Sequence, residues 1–198
     1  MYEILNTLTN ILLFFTLARY FVQVRKGSSV PNPAAWLIWA VSLPVNAVTY
    51  LVMVDFDIKK SAVFVLAAVG IVTIFLYSWQ RHKFSKLQVI DIFAVALTCV
   101  LFLGWLVIGG AEVFNLAIQI AVFLGYWPIA IGLIRKTNKE VPLSWLMGTS
   151  VYALQIAAMT VNSIGCTWYE LANPFINGII GNGTITAIVY WQQFRSQQ

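Results

Sequence analysis

The chain has 198 residues, of which 60% are hydrophobic and only 10% are charged, and its mean hydropathy is +0.81. A soluble domain carries about 25% charged residues, so the composition excludes a soluble globular protein and indicates an integral membrane protein. The formal net charge of +5 comes from residues scattered over short loops rather than gathered on one face, which excludes a nucleic-acid partner.

Seven apolar segments follow one another along the chain, each close to the length of about 20 residues that a helix needs to cross a bilayer. The predicted fold is therefore an all-α polytopic membrane protein that has the lipid bilayer as its surroundings. The first segment has neither a basic start nor a small-residue cleavage site, which predicts a retained helix rather than a signal peptide. The predicted spans are 3–24, 34–54, 61–79, 87–108, 113–134, 142–164 and 171–191.

Lys and Arg are concentrated in alternate loops, which fixes the predicted orientation. Basic residues cluster in 25–26, 81–86 and 135–139, whereas the other side has Lys59 and Lys60 beside Asp55 and Asp57. Loops rich in Lys and Arg stay in the cytoplasm. We therefore expect a multi-pass protein of the inner (plasma) membrane, with the N-terminus outside and the C-terminus in the cytoplasm.

An internal repeat organises these spans. Residues 127–145 (WPIAIGLIRKTNKEVPLSW) and, more faintly, 25–36 each contain a basic loop and a Pro-x-x-Trp helix start. Aligning Trp36 with Trp145 places Asn46 opposite Gln155. The sequence thus predicts two parallel three-helix bundles, 1–80 and 112–198, joined by an inverting helix in 81–111. Transporters with such repeats hold their solute near the midplane, between the repeats.

This plan resembles the PQ-loop superfamily, which includes the SWEET sugar facilitators, lysosomal amino-acid exporters and the KDEL receptor. The second repeat carries the match, because Pro128, a basic pair and the segment 140–145 (EVPLSW) are similar to the family's loop. Ile129 stands where the family has Gln, and Ala18 and Arg19 replace both residues of the pair in the first repeat. The resemblance implies a seven-helix carrier or a receptor of the same fold.

A second point of resemblance lies in the last span. Asn177 and Gly178, thirteen residues before Tyr190, are similar to the last-helix Asn that holds substrate in SWEET proteins. The first-repeat counterpart is Phe64, which cannot form the same hydrogen bond. The resemblance therefore implies a substrate contact at Asn177 alone.

Neutral amides at mid-membrane depth are the candidate site. An amide facing lipid costs a few kcal/mol, so Asn46, Gln155 and Asn177 should face the interior, either bonding neighbouring helices or lining a cavity. Further amides lie nearby in spans five and seven: Asn115, Gln119, Asn173 and Asn182. An amide both donates and accepts hydrogen bonds, which suits a small neutral polar solute.

Aromatic and proline residues complete the predicted site. Trp36 and Trp145, like Trp39, open their spans on the cytoplasmic side, where they belong either to an interface belt or to an inner gate that stacks on the solute. Pro44 and Pro128 lie inside spans two and five. Since an internal proline bends a helix, we interpret them as hinges.

Acidic residues offer little for proton coupling in the sequence. Asp91 is expected to be solvated or paired with Lys83 or Lys86, and the alternative is a proton-coupling carboxylate. No other buried acid is expected. Catalytic motifs, metal-ligand clusters and a last-span lysine for retinal are absent, so the sequence predicts no enzyme, no metal and no cofactor.

The sequence therefore predicts a facilitator that moves a small neutral polar solute by alternating access. The alternative is a non-transporting membrane receptor or scaffold of the same fold, similar to the KDEL receptor. The solute and the oligomeric state, monomer or homo-oligomer, are left open.

Overall fold

The computed structural model describes residues 1–108, 111–161 and 168–195, and this described part consists of helices, short connecting loops and an isolated β-bridge between Val30 and Lys139. In chain order the helices are α1 (Tyr2–Lys26), α2 (Pro33–Met53), α3 (Ile58–Gln80), α4 (Val89–Ile108), α5 (Ala111–Leu124), α6 (Tyr126–Ile134), α7 (Pro142–Val161), α8 (Trp168–Asn173), a π-helix (Pro174–Asn182) and α9 (Gly183–Arg195). The predicted all-α class is confirmed.

Helix ends follow local chemistry. The Asn32 side chain accepts from the Ala35 amide at 3.0 Å, and Pro33 occupies the first turn of α2, where its missing N–H costs nothing. Asp57 caps α3 in the same way. Helix α1 ends at Gly27, whose φ of 73° is the left-handed conformation typical of a C-terminal cap.

The fifth predicted span, 113–134, is not one helix but breaks into α5 and α6 at Gly125. Pro128 has no N–H for the Leu124 carbonyl, which weakens this turn. The Trp39 indole N–H donates to the Val122 carbonyl at 2.8 Å and packs against Gly125, where a Cβ would lie 2.4 Å from Nε1. A side chain from α2 thus packs against the break, in addition to the proline one turn later.

The seventh predicted span, 171–191, is likewise divided, into the end of α8, the π-helix and α9. Pro174 is the first residue of the π-helix. Single π-turns in helices are often found at functional sites.

Helices α1–α3, here called the first half, and α5–α9, the second half, meet mainly along two helix pairs. Helix α1 packs on α7, and α2 packs on α5. Within the halves, α3 packs on both α1 and α2, and α7 packs on the π-helix and α9. Helix α4 contacts α2, α5 and α6, and so lies against both halves.

Four helical stretches are long and apolar enough to cross a membrane: Tyr2–Lys26, Pro33–Val52, Ile58–Gln80 and Leu116–Ile134. The distribution of side chains agrees with a lipid environment. Helix α1 exposes Phe14 and Phe15 while it buries Thr9, Thr16 and Gln23, which reverses the pattern of a surface helix in a soluble protein. This is a membrane protein.

The three basic loops meet at one end of the bundle, here called the basic end. The Val30 amide donates to the Lys139 carbonyl at 2.7 Å, and the Ser85 amide donates to the Pro31 carbonyl at 2.9 Å. The Gln88 side chain donates to the Thr137 hydroxyl at 2.6 Å. The loops that the sequence assigns to one side of the membrane are thus in contact.

Candidate functional site

A cavity of about 90 Å³ lies between the halves, and we call it the aromatic cavity. Rings from α1, α2, α6 and α7 dominate its wall: Tyr20, Trp36, Trp39, Tyr126, Trp145 and Tyr152. Tyr20 stacks on Trp36 with ring centroids 4.9 Å apart, and Trp39 lies 4.9 Å from Tyr126 and 6.2 Å from Trp145. The rings therefore form one network that crosses from one half to the other.

The interface-belt interpretation is wrong for three tryptophans. Trp36, Trp39 and Trp145 are 2%, 4% and 6% exposed, whereas belt side chains face lipid. Trp79 and Trp191, at the ends of α3 and α9, are 64% and 48% exposed. The buried three have the placement expected of a gate or a stacking surface.

A smaller cavity of about 20 Å³ adjoins the aromatic cavity, and we call it the amide cavity. Asn46, Gln155 and Asn173 supply its amide groups. A single water needs about 10–15 Å³, so the space holds about one. Three side chains line both cavities, which makes them neighbours: Leu13, Ala67 and Tyr152.

A chain of amides connects the halves beside these cavities. Gln119 donates to Asn46 Oδ1 at 3.3 Å, and its own Oε1 accepts from Asn177 at 2.8 Å. Asn177 also donates to Asn173 Oδ1 at 3.1 Å. The buried Gln155 Oε1 and Asn177 Oδ1 have no hydrogen-bond partner among the described residues. Interhelical bonding thus uses part of this set and leaves two acceptors unsatisfied.

The predicted site residues fall into two groups. Trp36 and Trp145 line the aromatic cavity, and Asn46 and Gln155 line the amide cavity, so each repeat-related pair shares one cavity. Asn177 is in neither lining but reaches Asn46 through Gln119. The Asn115 side chain lies outside the described residues.

The two predicted hinge prolines differ in setting. Pro44 lies inside α2, which continues through it, whereas Pro128 is buried in α6 next to the break. Neither proline lines the aromatic cavity or the amide cavity. Their role as hinges stays a prediction.

Two tyrosines that the sequence analysis missed shape the cavities. Tyr126 and Tyr152 pack against Gly181 and Gly178 of the π-helix, where an added Cβ would lie 2.5 Å and 2.1 Å from ring or side-chain atoms. Asn182 donates to the Tyr126 hydroxyl at 3.0 Å and so fixes that ring. The glycines of the last span were the available signal, because a residue without a side chain allows a neighbouring helix to place a large ring against the backbone.

Glu140 is a buried acid at the basic end, and the expectation of no second buried acid is wrong. Its side chain is 7% exposed. Oε1 accepts from the Tyr20 hydroxyl at 2.7 Å, and Oε2 accepts from the Trp145 indole at 3.2 Å. Burial raises the pKa of the Glu140 carboxyl to about 7, although the hydrogen bonds from Tyr20 and Trp145 lower it. The sequence places Glu140 in a charged loop, which hid its burial.

Asp91 is also buried, at 0% exposure, and the expectation of a solvated or lysine-paired carboxylate is wrong. Its oxygens accept from the Asn32 side chain at 2.8 Å and from the Gln88 amide at 2.6 Å. Asp91 therefore holds the cap of α2 against the start of α4. It borders an apolar groove of about 380 Å³ between α2, α3 and α4 and lines neither of the two cavities.

Comparison of the chain with protein-family models, curated proteins and solved structures finds no match in any of the three. The resemblance to the PQ-loop superfamily therefore depends on sequence features alone, among them Pro128, the segment 140–145 and Asn177.

Proposed function

We propose that this protein is a membrane facilitator that moves a small neutral polar solute by alternating access between two three-helix halves. The carrying observation is that repeat-related residues meet between the halves. The alignment of Trp36 with Trp145 also aligns Val30 with Lys139, and these two form the β-bridge at the basic end. Two equivalent residues can touch only near the axis that relates their repeats.

Helix packing supports the same two-fold relation. In the repeat, α1 corresponds to α5–α6 and α2 corresponds to α7. The contact of α1 with α7 is then equivalent to the contact of α2 with α5, and both are present. Repeats related by an axis along the membrane normal are a known transporter plan, in which one bundle rocks against the other. We propose seven spans on this basis, with α4 as the inverting helix.

The size of the cavities supports a particular conformational state of the carrier, and their lining supports a class of solute. Solute pockets commonly measure about 300–1,000 Å³, so an aromatic cavity of about 90 Å³ corresponds to a contracted state that must widen. No ionised side chain lines either cavity among the described residues. Aromatic faces and amides suit a neutral solute that has one apolar face and several hydroxyl or amide groups.

Contact among the basic loops supports the proposed orientation. Since Lys- and Arg-rich loops remain in the cytoplasm, we place the basic end there and the N-terminus outside, in the inner (plasma) membrane. The halves are then closed towards the cytoplasm, because the Val30–Lys139 bridge and the Tyr20–Glu140 bond join them at that end.

Thermal stabilisation by a panel of sugars, amino acids and nucleosides tests this proposal on the detergent-purified protein. A ligand that binds only the folded state stabilises it by RT ln(1 + [L]/Kd), so millimolar concentrations suffice for a weak ligand. We expect a stabilising solute whose effect is lost in Gln155→Ala and Asn177→Ala. Asn10→Ala is the matched control, because among the described residues Asn10 hydrogen-bonds only to Asn6 within α1, and it lines neither cavity.

Uptake of that solute into proteoliposomes then separates a carrier from a receptor. Stabilisation without uptake, or no stabilising solute together with a co-purifying protein, would contradict the facilitator and favour the receptor or scaffold.

A further inference from the structure

On the basis of the proposed carrier, we propose that the Glu140 carboxyl is a proton-binding site linked to the gate at the basic end. The closed gate holds the proton, and opening this end to the cytoplasm releases it. The facilitator would then be coupled to protons or gated by pH. The inference depends on the carrier function only for its physiological use, since the gate can be studied without any solute.

The position of Glu140 between the halves is the first support. Glu140 belongs to the second half, in the loop before α7, while its partner Tyr20 belongs to α1 of the first half. Trp145, the other partner, and Tyr20 both line the aromatic cavity. Separation of α1 from α7 at this end therefore breaks the Tyr20 bond and admits water to the carboxyl.

The second support is the lack of a compensating charge. The side chains that hydrogen-bond to the carboxyl, among the described residues, are Tyr20 from α1, Ser29 from the α1–α2 loop and Trp145 from α7. Tyr20 is the only titratable group among them. In the described parts of the chain, no Lys, Arg or His nitrogen lies within ion-pair distance of Glu140. A buried carboxylate without a cation is costly, which favours the protonated form.

Proton linkage gives the direction of the effect. In the closed state the pKa of Glu140 is about 7, and hydration on opening returns it towards its ordinary value of 4.5. The closed state then binds the proton more tightly, so acid favours closure. Between these two pH values the opening equilibrium rises by up to about tenfold per pH unit, and above them it levels off.

Thiol accessibility measures this equilibrium without a solute. Thr16 lines the aromatic cavity, so Thr16→Cys in a Cys99→Ser, Cys166→Ser background reports on its opening. An impermeant thiol reagent is applied to inverted vesicles, which present the basic end. Glu140→Gln on the same background mimics the protonated acid. At each pH, the modification rate of the protein that retains Glu140 is divided by the rate of the Glu140→Gln variant. This ratio cancels the effect of pH on the thiol itself.

We expect the rate ratio to rise between about pH 5 and 7, by up to about tenfold per unit, and then to level off. Right-side-out vesicles should lack this rise. Tyr20→Phe removes a hydrogen bond that lowers the Glu140 pKa, so its profile should move to higher pH. The proposal is overturned if the ratio does not change with pH. If Glu140→Gln does not fold, the Tyr20→Phe variant decides. The proposal is then overturned if the pH profile of its thiol modification rate is unchanged or moves to lower pH.

Solute uptake separates this inference from the carrier proposal. Uptake that occurs with a pH profile unchanged by Glu140→Gln would reject the proton site and leave the carrier standing. A pH-dependent gate in a protein that moves no solute would reject the carrier and leave the proton site standing.

Discussion

The two halves carry related sequences, but only the second contains broken helices. Helices α1, α2 and α3 run without interruption, whereas the second half is divided at Gly125 and again through the π-helix. Ala18 in α1 stands in place of Pro128, and Phe64 in α3 in place of Asn177. The second half is thus divided where the first half is continuous, and we expect conformational change to be concentrated in the second half.

Proline alone does not make a joint. Pro44 lies inside α2, yet α2 continues from Pro33 to Met53. At Gly125 a second helix contributes the Trp39 indole, which occupies the space that a side chain would fill and bonds the Val122 carbonyl. The two prolines therefore differ in setting, because only the one near Gly125 lies beside a residue of another helix that packs on and bonds the neighbouring backbone.

Gly178→Ala should have the largest effect on the jointed half. The new Cβ would lie 2.1 Å from both Cβ and Cγ of Tyr152, which sit near the backbone and cannot swing aside. Overpacking of this kind costs about 1–3 kcal/mol. We expect a clear fall in the thermal midpoint of the purified protein. Gly183→Ala, with nothing within 4 Å of its Cβ, should leave the midpoint unchanged or raise it. Equal effects at the two positions would contradict tight π-helix packing.

Glu140 should make stability depend on pH, and its counterpart in the first repeat, Pro31, has no titratable group. The folded pKa is raised to about 7 from 4.5, so the folded state binds the proton more tightly and is favoured by acid. Stability relative to Glu140→Gln should fall by up to about 1.4 kcal/mol per unit as pH rises from about 5 to 7, and then stay constant. Denaturation at several pH values measures it. A difference that is independent of pH would show that the carboxyl is hydrated.

Trp39→Phe tests the outside partner of the Gly125 break. It removes the hydrogen bond to the Val122 carbonyl, a loss of about 1 kcal/mol, besides some buried ring area. Trp79→Phe is the matched control, since Trp79 is exposed at the end of α3. Equal unfolding free energies for the two variants would mean that the indole does not support the break.

Pro128→Ala should have the smallest effect on stability but a selective effect on transport. The new N–H can bond the Leu124 carbonyl and straighten the joint, so solute uptake should slow while stabilisation by the solute persists. Pro44→Ala should change uptake less, because α2 is already continuous. A larger loss of uptake in Pro44→Ala would place the motion in the first half.

Much of the fold could be predicted because it depends on local patterns. Apolar length gives the helices, and Pro33 and Pro142 mark two helix starts. The repeat alignment also favoured a shared cavity for Asn46 and Gln155, and both residues line the amide cavity. These features need only spacing and composition.

The remaining features depend on contacts between distant residues. Glu140 is buried because Tyr20, 120 positions earlier, supplies a donor. The break at Gly125 depends on Trp39, and the burial of Asp91 depends on Asn32. A single sequence shows each of these residues only among its neighbours, where an acid beside lysine is expected to be solvated.

The most direct test of the two-half account is a reversible cross-link at the proposed axis. Partners in an antiparallel bridge have Cα atoms about 4.5–5.5 Å apart, which suits a disulfide, so Val30→Cys with Lys139→Cys should cross-link in the Cys99→Ser, Cys166→Ser background. Flux of the stabilising solute in proteoliposomes is then measured before and after reduction. If this end must open, the oxidised protein will be inactive and reduction will restore the flux. Undiminished flux through the cross-linked protein would contradict the account.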